Sequence, residues 1–154
     1  MRHMKTSSIK IDLQNDSNIP NIPSIKLFEH WVLHSLQSDF SQLEQTIRVV
    51  DEPESQLLNK TWRGKDKPTN VLSFPAEDSE YLDYDHLGDL VICAAVVKAE
   101  ALQQNKKPVS HWAHMVIHGM LHLQGFDHVT DSEAEQMEAK EIEILTTLGH
   151  TNPY

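Results

Sequence analysis

The spacing of hydrophobic residues changes along the chain, and each change marks an element. Residues 8–14 alternate polar and apolar, with Ile9, Ile11 and Leu13 against Lys10, Asp12 and Gln14, the period of a half-buried strand. Residues 15–23 carry Asn, Asp, Ser and two prolines, which is turn chemistry. Leu27, Trp31, Leu33, His34 and Leu36 then recur at helical spacing, and residues 45–50 return to a β-branched, alternating pattern. Pro53 suits the first turn of a short helix over 54–62. A polar loop over 63–69 leads to a third strand at 71–74, closed by Pro75. An acidic loop at 77–85 precedes a fourth, strongly apolar strand at 87–93. Three helices complete the chain, at about 94–104, 110–123 and 131–148. Gly125 and Gly149 stop the last two, as glycine does at helix C-termini. The order predicts an α+β or mixed α/β fold, a small four-stranded sheet covered by about five helices.

Composition bounds this picture. The 154 residues fit one domain, read here as 1–154 with residues 1–7 flexible. A 39% hydrophobic content excludes global disorder, and no run of 18 apolar residues argues for a membrane span. The basic start, Met1 to Lys5, is followed by no apolar stretch and so does not read as a secretory signal. The lone Cys93 cannot form an internal disulfide, which suits a reducing cytoplasm. Thirteen Lys and Arg against 23 Asp and Glu leave a net charge of −10, which argues against nucleic-acid binding over the whole surface. Ten histidines are a high count for this length, so their placement matters.

Three of them, His118, His122 and His128, form an H-x3-H-x5-H pattern. Positions i and i+4 share a helix face, so His118 and His122 can aim at one point. His114 extends the row, but it lies about 12 Å from His122 along the axis, too far to share an ion with bonds of about 2.0–2.1 Å. Gly125 permits a left-handed turn that brings His128 or Asp127 back to the pair. Three histidines leave one position of a tetrahedral zinc open, the arrangement of a catalytic site. Metzincin proteases share the spacing H-x3-H-x2-G-x2-H and carry a Glu base directly after the first His. Here that position is Gly119, so the metal cage is present and the protease base is missing. His30 and His34 are also an i, i+4 pair, but with no third ligand and no glycine reversal they read as partly exposed helix residues.

The run His118-Gly119-Met120-Leu121-His122-Leu123-Gln124-Gly125-Phe126-Asp127-His128 resembles the signature of the YbeY endoribonucleases, also called rRNA maturation factors. Residues 63–75 and 87–92 resemble the same family, and the ordered resemblance runs from about Ile47 to the C-terminus. It implies a mixed sheet with helices around a cleft and a zinc site at the end of a central helix. It places the zinc ligands on His118, His122 and His128 and a cleft arginine on Arg63. The implied activity is metal-dependent cleavage of single-stranded RNA in 16S rRNA 3′-end maturation and ribosome quality control, in the cytoplasm. The implied partners are rRNA, the ribosome, its proteins and assembly factors, with no DNA and no membrane. Many members carry Asp where this chain has Asn70.

Charge placement adds to this reading. Lys60, Arg63, Lys65 and Lys67 against Asp66 make the clearest basic segment, and the planar fork of Arg63 can hold a phosphate by two bonds. Asp131, Glu133, Glu135, Glu138, Glu141 and Glu143 read as a solvated face of the last helix, over a stripe of Ala134, Met137, Ile142 and Leu145. No base is assigned. Asp127 could bond a ligand histidine or reach a bound water, and His114 could donate a proton or simply line the helix. Asp89 could orient a ligand or pin a turn, and Trp62 could stack on a base or join the core. The three-histidine site accepts one zinc, or nickel, cobalt or copper. Competing readings are a metallohydrolase of peptides or amides and a non-catalytic assembly factor with a structural zinc.

Overall fold

The computed structural model describes residues 8–76 and 85–154. The flexible terminus expected over 1–7 and all but the last residue of the acidic loop expected over 77–85 lie outside the described residues; Asp85 belongs to a strand instead. Nine elements follow in order: β1 (Ile9–Asn15), α1 (Ile25–Ser35), β2 (Leu43–Val50), α2 (Glu52–Arg63), β3 (Val71–Pro75), β4 (Asp85–Cys93), α3 (Ala94–Gln103), α4 (Pro108–Leu123) and α5 (Asp131–Thr147). The expected four strands and five helices are all present. Two boundaries differ in a way that matters. Helix α2 runs one residue further, so Arg63 is its last residue, and α4 starts at Pro108, which fills a first-turn position where no N–H is missed.

The sheet order is β1-β2-β4-β3. Strands β1, β2 and β4 are parallel, which requires crossovers through α1 and through α2 and β3. Strand β3 joins antiparallel to β4 and forms an open edge, with Pro75 at its end. The main core lies where α1 and α4 meet the sheet. Phe28 packs edge-to-face on Trp31 and Trp112, centroids 5.6 and 5.9 Å apart, and Ile47, Leu90, Ile92, Val116, Ile117 and Met120 are fully buried around them. A smaller cluster of Val50, Leu72 and Val91 is covered by Leu58 and Phe74 under α2.

Gly119 allows α4 to lie against β3 and β4. A Cβ there would sit 2.7 Å from Leu90 Cδ2 and 3.3 Å from Ser73 Oγ and Val71 Cγ2. Ser73 Oγ donates to the Gly119 carbonyl at 3.1 Å, locking the helix to the edge strand. This position faces the sheet, so the glycine where a metzincin has its base serves packing.

Candidate metal centre

His118 and His122 stand one turn apart on the half-buried side of α4, ring centroids 4.7 Å apart. The helix end is pinned. Gln124 accepts from the Gln37 N–H at 2.7 Å and donates to the Ser35 and Met120 carbonyls, tying it to the end of α1. Gly125 follows with φ +99°, a conformation costly for any residue with a Cβ, and turns the chain back. His128 returns with its ring 4.9 Å from His122 and 5.6 Å from His118. One ligand nitrogen from each histidine lies within 4.8 Å of the others. The Nε2 atoms of His118 and His122 are 3.2 Å apart. Two nitrogens on one tetrahedral zinc would be about 3.3–3.4 Å apart at bond lengths of about 2.0–2.1 Å, so the donor set fits such an ion.

The acid on α5 is the main correction to the sequence reading. Glu141 is fully buried, not solvated. It lies four residues from Met137 and four from Leu145, both buried, so helix phase turns it inward; Ile144 takes the buried place expected of Ile142. Its Oε1 accepts from His118 Nδ1 at 2.7 Å and from His114 Nε2 at 3.1 Å, and Oε2 accepts from the Tyr154 hydroxyl at 2.5 Å. Burial alone would raise this carboxyl; the hydrogen bonds from His114, His118 and Tyr154 and the charge of His118 outweigh it and hold it at about 2. An ionised Glu141 requires a proton on His118 Nδ1. In the neutral imidazole, that leaves Nε2 of His118 as a lone pair facing the other two histidines. Burial, then the neighbouring His118 and His128, push His122 down to about 4, so it too offers a lone pair at neutral pH.

The other expected residues separate into two groups. Arg63, Asp127 and the three histidines line one open cleft of about 680 Å³, together with Asn70 and with Val71, Leu72 and Ser73 of β3. Arg63 Nη2 donates to the Ser73 carbonyl at 3.2 Å, which holds the guanidinium at that edge. Asp127 is exposed; its Oδ1 accepts the His128 backbone N–H at 2.8 Å and lies 4.0 Å from the His128 ring nitrogen, so it holds the turn rather than the ring. His114 is outside the cleft, 6% exposed and behind His118. Asn70 bridges elsewhere: its amide donates to both Glu100 oxygens at 3.1 and 3.3 Å, and its own oxygen accepts the Val71 N–H. Glu100 also accepts from His111 Nε2 at 2.8 Å.

Asp89 pairs with His86 in β4 at 3.5 Å, away from the cluster. His30 and His34 gather no third ligand among the described residues; His34 Nδ1 donates to the His30 carbonyl at 2.8 Å. Cys93 is buried, and burial pushes its thiol up. Two residues of the site escaped the sequence reading, Glu141 and Tyr154. The first had a signal, a carboxylate in phase with an apolar stripe. The second had none, since only the fold brings the hydroxyl of Tyr154 back to α5.

The sequence model of the family described as Endoribonuclease YbeY matches residues 10–149. The match reaches well upstream of Ile47 and takes in β1 and α1. Among solved structures, the chain is similar to the solution structure of TM1509 from Thermotoga maritima, at 25% identity and a TM-score of 0.53, covering 92% of this chain and 91% of that one. No helix among the described residues is long and apolar enough to cross a membrane.

Proposed function

The chain belongs to the endoribonuclease YbeY family, and from that membership we propose a zinc-dependent hydrolase of single-stranded RNA. Its substrate is ribosomal RNA, with the 3′ end of 16S rRNA as the processing site and ribosome quality control as the setting. The partners are the ribosome and its assembly factors, and the compartment is the cytoplasm. One observation carries the reading: three imidazoles converge at the end of α4, one of them oriented by a buried carboxylate, in a cleft that an anchored arginine shares.

His118, His122 and His128 are the residues assigned to hold the ion. When bound, it supplies Lewis acidity toward a phosphate oxygen and makes water more acidic. Glu141 keeps His118 in the tautomer that coordinates, and His114 and Tyr154 keep Glu141 ionised and aimed. That assigns His114 a holding role rather than contact with substrate. Arg63 presents two N–H groups to the oxygens of one phosphate and offsets the charge that grows there as a bond to phosphorus forms. Asp127, exposed on the cleft wall with one oxygen on the His128 N–H, retains a second oxygen to accept a proton from water. Gly119 counts against peptide hydrolysis, because the sheet occupies the space its base would need.

The test pairs metal analysis with cleavage of single-stranded and duplex RNA, with and without chelator, alongside a His118→Ala and His122→Ala double variant. Chelator-sensitive cutting of the single strand, lost in the variant, is expected. Equal cutting by the variant would remove the proposal.

A further inference from the structure

Of the three tryptophans, Trp31 and Trp112 are 1% and 6% exposed, whereas Trp62 is 65% exposed. Its place on α2 accounts for this. Ser55, Leu58 and Asn59 form the inward row of the helix, and Trp62 continues the row by one turn, at the helix end beside Phe74 of β3. Among the described residues its indole meets one other ring, Phe74, at a centroid distance of 6.1 Å and an interplanar angle of 74°. Its neighbour Arg63 reaches the Ser73 carbonyl. Ser73 and Phe74 are consecutive on β3, so their side chains point to opposite faces. Arg63 lines the cleft, whereas Trp62 packs on Phe74 on the α2 side of β3, just outside it.

We propose that Trp62 is a stacking platform for one unpaired base of the strand whose phosphate Arg63 holds. The proposal rests on the RNA reading above. Singly exposed apolar side chains are ordinary on protein surfaces. What separates Trp62 is its setting in the chain: Lys60, Arg63, Lys65 and Lys67 lie within five positions of it, with Asp66 the only acid among residues 60–67, in a chain of net charge −10. A polyanion with flat apolar faces complements that segment, and an acidic peptide does not use the ring. Base–aromatic stacking tolerates any sequence, because every base has a π-face. A duplex covers those faces with neighbouring pairs. The platform thus selects single strands, whereas Arg63 reads only a phosphate.

Trp62 being the one exposed indole, its emission reports the site directly. The full chain would be titrated with a 2′-O-methyl, nuclease-resistant RNA 10-mer and with its blunt duplex, following tryptophan emission and, separately, polarisation of an end-labelled strand. The single strand is expected to quench the long-wavelength emission of the wild type. In Trp62→Phe that emission component is absent and binding is kept. In Trp62→Leu single-strand affinity falls about tenfold, from stacking of about 1–3 kcal/mol per base, with the melting temperature and duplex affinity unchanged. Binding without quenching, equal quenching by duplex, or wild-type affinity in Trp62→Leu each overturns the platform and leaves the nuclease reading intact. Absence of both binding and metal-dependent cleavage of unmodified RNA overturns the nuclease reading, and the platform with it.

Discussion

Helix α4 carries four histidines toward its two ends, and they have opposite partners. In its first half His111 and His114 are buried and each donates to a carboxylate, Glu100 and Glu141. In its last turns His118 and His122 are half-buried and face each other and His128. His118 is the junction, with Nδ1 on Glu141 and Nε2 toward the cluster. An imidazole that meets a carboxylate gives a proton to it; one that meets only imidazoles keeps a lone pair to offer. The residue type is the same, and the partner decides whether it is structure or ligand.

The largest way to break this contrast is to exchange alanine for one histidine at each end. His122→Ala should lower metal affinity by more than about a hundredfold, beyond the roughly 10–100-fold typical of an outer-shell change, and leave the fold in place. His111→Ala should keep the metal and destabilise the chain by about 2–4 kcal/mol, through a cavity and a Glu100 carboxylate short of one partner. Calorimetric metal titration and urea unfolding on both variants decide it; swapped outcomes would dissolve the distinction.

Removing the charge at the junction is the next step down. Glu141→Gln still accepts a hydrogen bond but no longer enforces the His118 tautomer, so metal affinity should drop about 10–100-fold. Chelator competition reads this without any RNA.

Acid should then separate the two ends without mutation. His122 is lowered from 6.5 to about 4, so between those values the unfolded chain binds more protons, and metal-free stability falls as pH drops through that window. Burial lowers His111 in the same sense. Glu141, lowered from 4.5 to about 2, contributes fully above pH 4.5 and loses its contribution only as pH falls toward 2. Urea midpoints at pH 7, 5.5 and 4.5 should decline stepwise, and less steeply in His122→Ala. A flat profile would mean that His122 takes up its proton as easily folded as unfolded.

The smallest expected effect lies at Asn70. Asn70→Asp sets a carboxylate where an amide now donates to Glu100, and should cost about 1 kcal/mol, visible as a small fall in melting temperature.

The fold was readable because its signals are local. Alternation in residues 8–14 and 45–50, Pro53 at a helix start and Gly125 at a helix end each act within a few positions. The three-histidine cluster was readable for the same reason, since i, i+4 spacing and one glycine determine its geometry. Glu141 was misplaced because it was counted with five other acids on one helix, and a charge count ignores helix phase. Tyr154 and the Asn70–Glu100–His111 chain depend on contacts 11 to 30 positions apart, which the local pattern does not report. Helix rise already set His114 apart from the cluster, but its burial and its bond to Glu141 appear only in the fold.

The close approach at Gly119 also has an evolutionary meaning. A single nucleotide change converts a glycine codon to glutamate, so a three-histidine site of this spacing would seem one step from a peptidase. Here the step is closed, because Leu90, Ser73 and Val71 already fill the volume beside that carbon. Gaining the base would require accompanying changes in the side chains that crowd it, above all Leu90. A single substitution at this position therefore meets packing resistance before it can supply a base.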